Sequence, residues 1–213
     1  MLSKAINLVN QNKYKEAISQ LDLLIEKHPD FAPAYLHKGT YLAVSTNNFA
    51  EVMKNLNKAI DLQPNYTEGY YYRGIQKDIY YPLYGSAIPD LNKAIDLNPK
   101  YSDAYLARGS AKNSQKQYAE ALLDIEKAKS LKNNFPDLYC ERALSLLGLK
   151  RIQEGLDNIT IALSIDSLNH VAYYLRCLAY FELKDNRTSC ANCEQAAKYG
   201  NSDAKQFFIE KCK

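Results

Sequence analysis

The chain has no tryptophan, two methionines, three histidines and no apolar stretch near the ~18 residues of a membrane helix. The missing apolar stretch argues against membrane insertion. His28, His37 and His170 stand far apart and form no ligand cluster. Basic residues do not run together either. The 27 Lys and Arg are interleaved with 24 Asp and Glu, leaving a net charge of +3, which speaks against a nucleic-acid partner. No Ser/His/Asp set, glycine-rich phosphate loop or carboxylate pair at catalytic spacing is present. The expectation is therefore a non-enzymatic protein with no cofactor and no metal. Five cysteines, an odd number with four beyond residue 170, do not read as a disulfide framework, so the expected compartment is the cytoplasm. The first residues, 1–16, have amphipathic helical spacing and no signal-peptide core; a periplasmic or secreted location would follow only if a leader had been lost.

What the chain does contain is a repeat of about 34 residues. Tyr70-x-x-Arg73-Gly74, Tyr105-x-x-Arg108-Gly109, Tyr139-x-x-Arg142-Ala143 and Tyr173-x-x-Arg176-Cys177 follow one another in phase, and Tyr35-x-x-Lys38-Gly39 precedes them. A second string follows each: Phe49-Ala50-Glu51 to Leu56-x-x-Ala59 and Pro64, Tyr118-Ala119-Glu120 to Ile125-x-x-Ala128, and Ile152-Gln153-Glu154 to Ile159-x-x-Ala162. Tyr70, Arg73, Gly74 and Lys77 lie at i, i+3, i+4 and i+7, one face of a helix. Ala87, Leu91 and Ala94 mark the inner stripe of a second. A fixed period of this length indicates stacked units, each unable to bury its apolar face alone. Most of the eighteen tyrosines occupy repeat-equivalent positions.

In these strings the chain resembles the tetratricopeptide repeat (TPR) family, in a form with bacterial-type Tyr-x-x-Arg-Gly repeats. The resemblance implies an all-α TPR solenoid, a right-handed superhelix of antiparallel helix pairs with a C-terminal capping helix. The expected organisation is one array over 1–213, with repeats at about 1–31, 32–66, 67–101, 102–135, 136–169 and 170–203 and a capping helix at about 203–211. The first repeat is about three residues short at its start, which fits either a minimal start or a trimmed one.

Four constellations stand out. Each Arg of the Tyr motif has an acid or amide sixteen or seventeen residues on: Asp90 for Arg73, Asp124 for Arg108, Asn158 for Arg142 and Asn192 for Arg176. This reads as a hydrogen-bonded clasp across one helix pair, the alternative being a ligand-binding arginine row. Cys190-x-x-Cys193 looks like half a redox or zinc site, yet repeat phase puts Cys177, Cys190 and Cys193 in core slots. The segment Tyr80–Gly85 is one residue longer than the other inter-helix turns and reads as an aromatic turn or a binding edge. In the next turn, Pro89 implies a helix that starts late, with Ser86 as N-cap.

Finally, the resemblance implies a concave groove lined by the first helices. The residues expected there are Leu36, His37, Thr40, Tyr71, Tyr72, Ile75, Asp78, Leu106, Ser110, Leu144, Tyr174, Leu178 and Phe181, with Cys140 beside them. The Lys, Asn and Arg set of chaperone-tail clamps is absent. The expected function is a protein interaction scaffold that holds a peptide segment or helix of a partner. Self-association as a homo-oligomer and thiol or metal chemistry at the C-terminal cysteines are the alternatives.

Overall fold

The repeat dictates the folding unit. Two short amphipathic helices share one apolar seam, and the turn between them is too tight for any arrangement but a hairpin. The computed structural model describes residues 1–80, 87–131 and 135–212. Among them thirteen helices and no strand occur. The chain divides into two compact units, Met1–Ala104 and Tyr105–Lys213. The first contains α1 (Leu2–Asn10), α2 (Tyr14–Lys27), α3 (Ala32–Ser45), α4 (Phe49–Leu62), α5 (Thr67–Tyr80) and α6 (Ala87–Leu97). At its end α7 (Ser102–Ser114) begins, and most of that helix belongs to the second unit. There follow α8 (Tyr118–Leu131), α9 (Pro136–Gly148), α10 (Ile152–Ile165), α11 (His170–Glu182), α12 (Asn186–Lys198) and α13 (Ser202–Lys211).

Close approach within each pair depends on the small-residue slot. A Cβ added at Gly39 would lie 2.9 Å from the Leu56 side chain, one at Gly74 3.0 Å from Leu91, and one at Gly109 2.8 Å from Ile125. Glycine's cost in helix propensity, about 1 kcal/mol, is offset by the apolar contact it permits. The Tyr motif closes the same seam. Tyr35 and Tyr70 donate their hydroxyls to the carbonyls of Pro29 and Pro64, tying each first helix to the turn that precedes it. Three of the motif tyrosines carry the arginine on the ring: the guanidinium of Arg73 lies 5.4 Å from the Tyr70 centroid, that of Arg108 5.5 Å from Tyr105, and that of Arg176 4.9 Å from Tyr173. The i, i+3 spacing sets ring and cation one above the other.

Turn chemistry breaks the N-terminal amphipathic stretch. Helical spacing over 1–16 is interrupted because α1 ends at Asn10 and α2 begins at Tyr14, with Asn12 at φ 59°, a left-handed conformation that asparagine tolerates. Lys116, Lys150 and Lys184 turn the chain in the same way, at φ 59°, 62° and 62°. Asparagine and aspartate start several helices: Asn48 with Glu51 before α4, Asn169 before α11, Asp185 before α12 and Asn201 before α13. The proposed N-cap Ser86 and the turn at 81–85 lie outside the described residues.

The cysteines require a correction. They are not a set of buried thiols: Cys177 bonds Cys193, joining α11 to α12, and Cys190 bonds Cys212, joining α12 to the end of α13. The Cα–Cα separations are 5.2 and 5.6 Å. Repeat phase explains the first bridge. Cys177 fills the slot of Gly74 and Gly109, Cys193 that of Leu91 and Ile125, and those slots touch in the pairs with glycine. The two cysteines of the Cys190-x-x-Cys193 string do not bond each other; each sulfur is bonded to a cysteine outside the string. Cys140 is the free thiol, buried and pushed up to about 12 by that burial first and then by Asp137, Glu141 and Asp166.

Candidate functional site

The arginines resolve into structure. Arg73 donates through Nε and Nη2 to both oxygens of Asp90, at 2.9 and 2.6 Å, and Lys77 reaches the same carboxylate at 2.8 Å. Arg108 and Lys112 repeat this arrangement on Asp124, at 2.9, 2.6 and 2.7 Å. Two features extend the clasp beyond one helix pair. Arg73 Nη1 also donates to Asn57 of α4, and Arg142, which holds Asn158 of α10, donates to Glu126 of α8. Each of these guanidiniums thus joins two consecutive pairs. Sequence spacing showed the partner ahead but not the one behind, sixteen residues back. Arg73, Arg108 and Arg142 thus each direct at least two of their donors at partners within the fold rather than at a ligand.

In the first unit the expected groove residues fall into two environments. Leu36 is 4% exposed and packs in a cluster with Leu42, Val52, Leu56 and Ala59. It is core, not lining, because Tyr66 at the end of its own repeat and Tyr72 of the following one pack against that cluster. His37 stacks on Tyr41 at 5.6 Å, and Thr40 donates to the His37 carbonyl. Tyr71, Tyr72, Ile75 and Asp78 are all half-buried, while Ile79 is 62% exposed. Tyr71 anchors a ring cluster, 5.1 Å from Tyr72 and 4.9 Å from Tyr101 at the base of α7. Tyr101 was not among the expected lining residues. Its signal was the aromatic that follows the closing proline, seen also at Tyr66. Tyr70, the neighbouring residue of the repeat motif, is half-buried like Tyr71.

The rings are partly desolvated. Burial pushes the Tyr71 phenol up to about 12, with Asp103 and Tyr72 adding to it. Burial also raises Tyr101, Tyr66 and Tyr41. Asp78 is raised by burial alone. A phenol whose folded pKa lies above its unfolded value of 10.0 keeps its proton more firmly in the fold. Its contribution is complete below pH 10 and is lost as pH rises towards about 12. The melting temperature is therefore expected to drop steeply between these values. Tyr71→Phe, which cannot ionise, should flatten the drop; an unchanged alkaline profile would show that the Tyr71 hydroxyl is solvated.

In the second unit polar bonds replace rings. Ser110 donates to Glu141 at 2.7 Å, Asn113 donates to the same carboxylate at 2.8 Å and to the Glu141 carbonyl, and Ser145 donates to Asn113. This network joins α7 to α9. Leu106 and Leu144 are half-buried against the core, and Cys140 lies within it. Towards the C-terminus α13 covers part of the stripe. Phe207 meets Phe181 edge-on at 5.1 Å, leaving Phe181 39% exposed. Tyr174, whose phenol burial also raises, packs with Phe207 and Phe208 on the cluster around Ala204. Leu178 is half-buried. The capping helix thus does more than solvate the end of the array, although Lys205, Glu210 and Lys211 do face solvent.

Residues 32–66 and 83–134 each match a family model described as tetratricopeptide repeat. Solved structures share the fold. PilW, described as a widely conserved type IV pilus biogenesis factor, superposes with a TM-score of 0.82 at 16% identity, covering 98% of this chain and 96% of that one. Pseudomonas aeruginosa pilF gives 0.79 at 17% identity, covering 99% and 96%. YrrB, described as a TPR protein with an unusual peptide-binding site, gives 0.64 at 18% identity, covering 89% and 97%. No curated protein sequence matches. Among the described residues no helix is long and apolar enough to cross a membrane. The repeat strings, the paired helices with their glycine-leucine seams and the matching family models agree: residues 32–66 and 83–134 carry tetratricopeptide repeats, and the described residues form the all-α fold of paired helices that solved tetratricopeptide repeat structures share.

Proposed function

We propose that this protein is a non-catalytic interaction scaffold that binds a segment of a partner protein along one face of α5, with Tyr71, Tyr72 and Ile75 as the contact surface. The observation that carries the reading is the half-exposed ring cluster Tyr71–Tyr72–Tyr101, continued along the helix by Ile75 and the largely exposed Ile79. Apolar and aromatic surface left open beside satisfied polar groups is characteristic of interaction sites, where aromatics carry much of the binding energy. The buried carboxylates Asp90 and Asp124 are committed to arginine and lysine. Two disulfides support an oxidising compartment rather than the cytoplasm.

A photo-cross-linking residue placed at Tyr71 or Ile79 tests this reading, against the same residue at exposed Asp157 on α10. Cross-links to a second polypeptide from Tyr71 and Ile79 but not from Asp157 are expected. Equal labelling from all three positions, or none from the first two, would count against the face. Cross-links only between copies of this chain would favour self-association.

A further inference from the structure

We infer that the helix pair α3–α4 holds a place for a guanidinium group that does not belong to this chain, stacked on Tyr35 and hydrogen-bonded to Asn55. The place shares no residue with the α5 face and does not depend on it. In each later pair the motif arginine closes forward on the second helix: Arg73 on Asp90, Arg108 on Asp124, Arg142 on Asn158 and Arg176 on Asn192. The two amides are aimed by the same device. Asn158 and Asn192 donate through Nδ2 to a carbonyl one turn back, on Glu154 and Thr188, and this turns Oδ1 towards the arginine. Asn55 is held in the same way, with Nδ2 on the Glu51 carbonyl at 2.8 Å, and is only 6% exposed. Its Oδ1 accepts from no described residue.

The chain has no arginine to offer there. The motif position is Lys38, whose ammonium lies 2.7 Å from Asp22 and 3.8 Å from Glu51. Asp22 is the partner behind, as Asn57 is for Arg73. A single nitrogen held there does not reach the forward partner, and an ammonium has no flat face to lay on a ring. Tyr70, Tyr105 and Tyr173 carry their guanidiniums, whereas Tyr35 and Asn55 line an open pocket of about 570 Å³. A guanidinium seated in it would stack on Tyr35 and donate to Asn55 Oδ1 and the Glu51 carboxylate. The charges around the pocket balance. Lys38, Lys54 and Lys58 are matched by Asp22, Glu51 and Asp61, so flat shape and donor geometry select the ligand rather than net charge. Lys54 and Lys58 are exposed and extend to solvent on flexible stems. Lysines also fill the Lys58 slot beside the two acid clasps, as Lys93 and Lys127, so a cation there is compatible with a guanidinium in the clasp. Asn57 at the rim is already taken by Arg73, itself neutralised by Asp90.

The test uses the full-length, oxidised protein, with N-acetyl-arginine amide as the probe and the backbone amide NMR shifts of α3 and α4 as the readout. The lysine and citrulline analogues are titrated alongside, the first a cation without a fork and the second a neutral isostere. The arginine probe is expected to shift the signals of Tyr35 and Asn55, and the other two to leave them in place. Lys38→Arg supplies the chain's own guanidinium without changing net charge. It should raise the melting temperature and weaken the probe about tenfold. Asn55→Asp, which copies Asp90 and Asp124, should tighten it about tenfold. Each variant's melting curve establishes that it is folded, and Lys38→Arg alone carries the test if Asn55→Asp is not. Methylguanidinium and an end-blocked peptide with one Arg among Ala residues identify the source of the group. Tighter binding of the peptide assigns it to a polypeptide's arginine, and equal binding to a small guanidinium compound; either supports the place. No response to the arginine probe, an equal response to the lysine or citrulline probe, or unaltered binding to Lys38→Arg overturns the inference.

Discussion

Changing Cys177 and Cys193 together to alanine is expected to lower stability by about 3 kcal/mol, the chain-entropy value for a closed loop of roughly fifteen residues. The bridge spans 16 residues of sequence and lies wholly inside the α11–α12 seam, so its loss also leaves a small void where two sulfurs met. Unfolding in a repeat array can begin at one end, and the last pair is an end. The variant should therefore show an early, partial loss of helix before the main transition. Breaking Cys190–Cys212 as well frees α13, whose remaining hold is its packing through Ala204, Phe207 and Phe208. Alkylation in denaturant followed by mass measurement gives the direct control, with one reactive thiol, Cys140, expected. Five reactive thiols, and a melting curve indifferent to reductant, would mean that the cysteines are core thiols and that the cytoplasmic expectation stands.

A second large effect is expected from Arg108→Leu. Asp124 is 5% exposed and receives two hydrogen bonds from Arg108 and one from Lys112. Removing the guanidinium leaves a buried carboxylate with a single partner, at a cost of about 3 kcal/mol. If Asp124→Leu is added, the burden goes with the charge, and most of the loss should be recovered, since a well-packed apolar pair often equals a buried ion pair. Lys112 can then extend to solvent on its flexible stem. Chemical denaturation of the two single variants and the double variant completes the cycle. Additive losses would show that the fork geometry carries no coupling. Because Arg73 and Arg142 also reach back to Asn57 and Glu126, their loss should reduce cooperativity between neighbouring pairs more than their burial alone implies.

Helix number, pairing and the seam residues were determined by local sequence. Glycine, alanine or cysteine recurs four residues after each tyrosine, and a leucine or isoleucine recurs on the partner helix, because two helices can only share a narrow seam where one side chain is missing. The clasp was legible for the same reason: its members recur at a fixed spacing within one pair. Interactions between pairs were not legible. The second partners of Arg73 and Arg142, the burial of Leu36 beneath the next repeat and the Ser110–Asn113–Glu141–Ser145 network all join one helix pair to the next. Their contact depends on how consecutive pairs are stacked and rotated, which helical phase alone does not encode. The cysteines lay between the two cases. Sequence phase placed Cys177 and Cys193 in slots that meet in the pairs with glycine, but only the packed helices brought their sulfurs to bonding distance, and only the position of α13 brought Cys212 to Cys190.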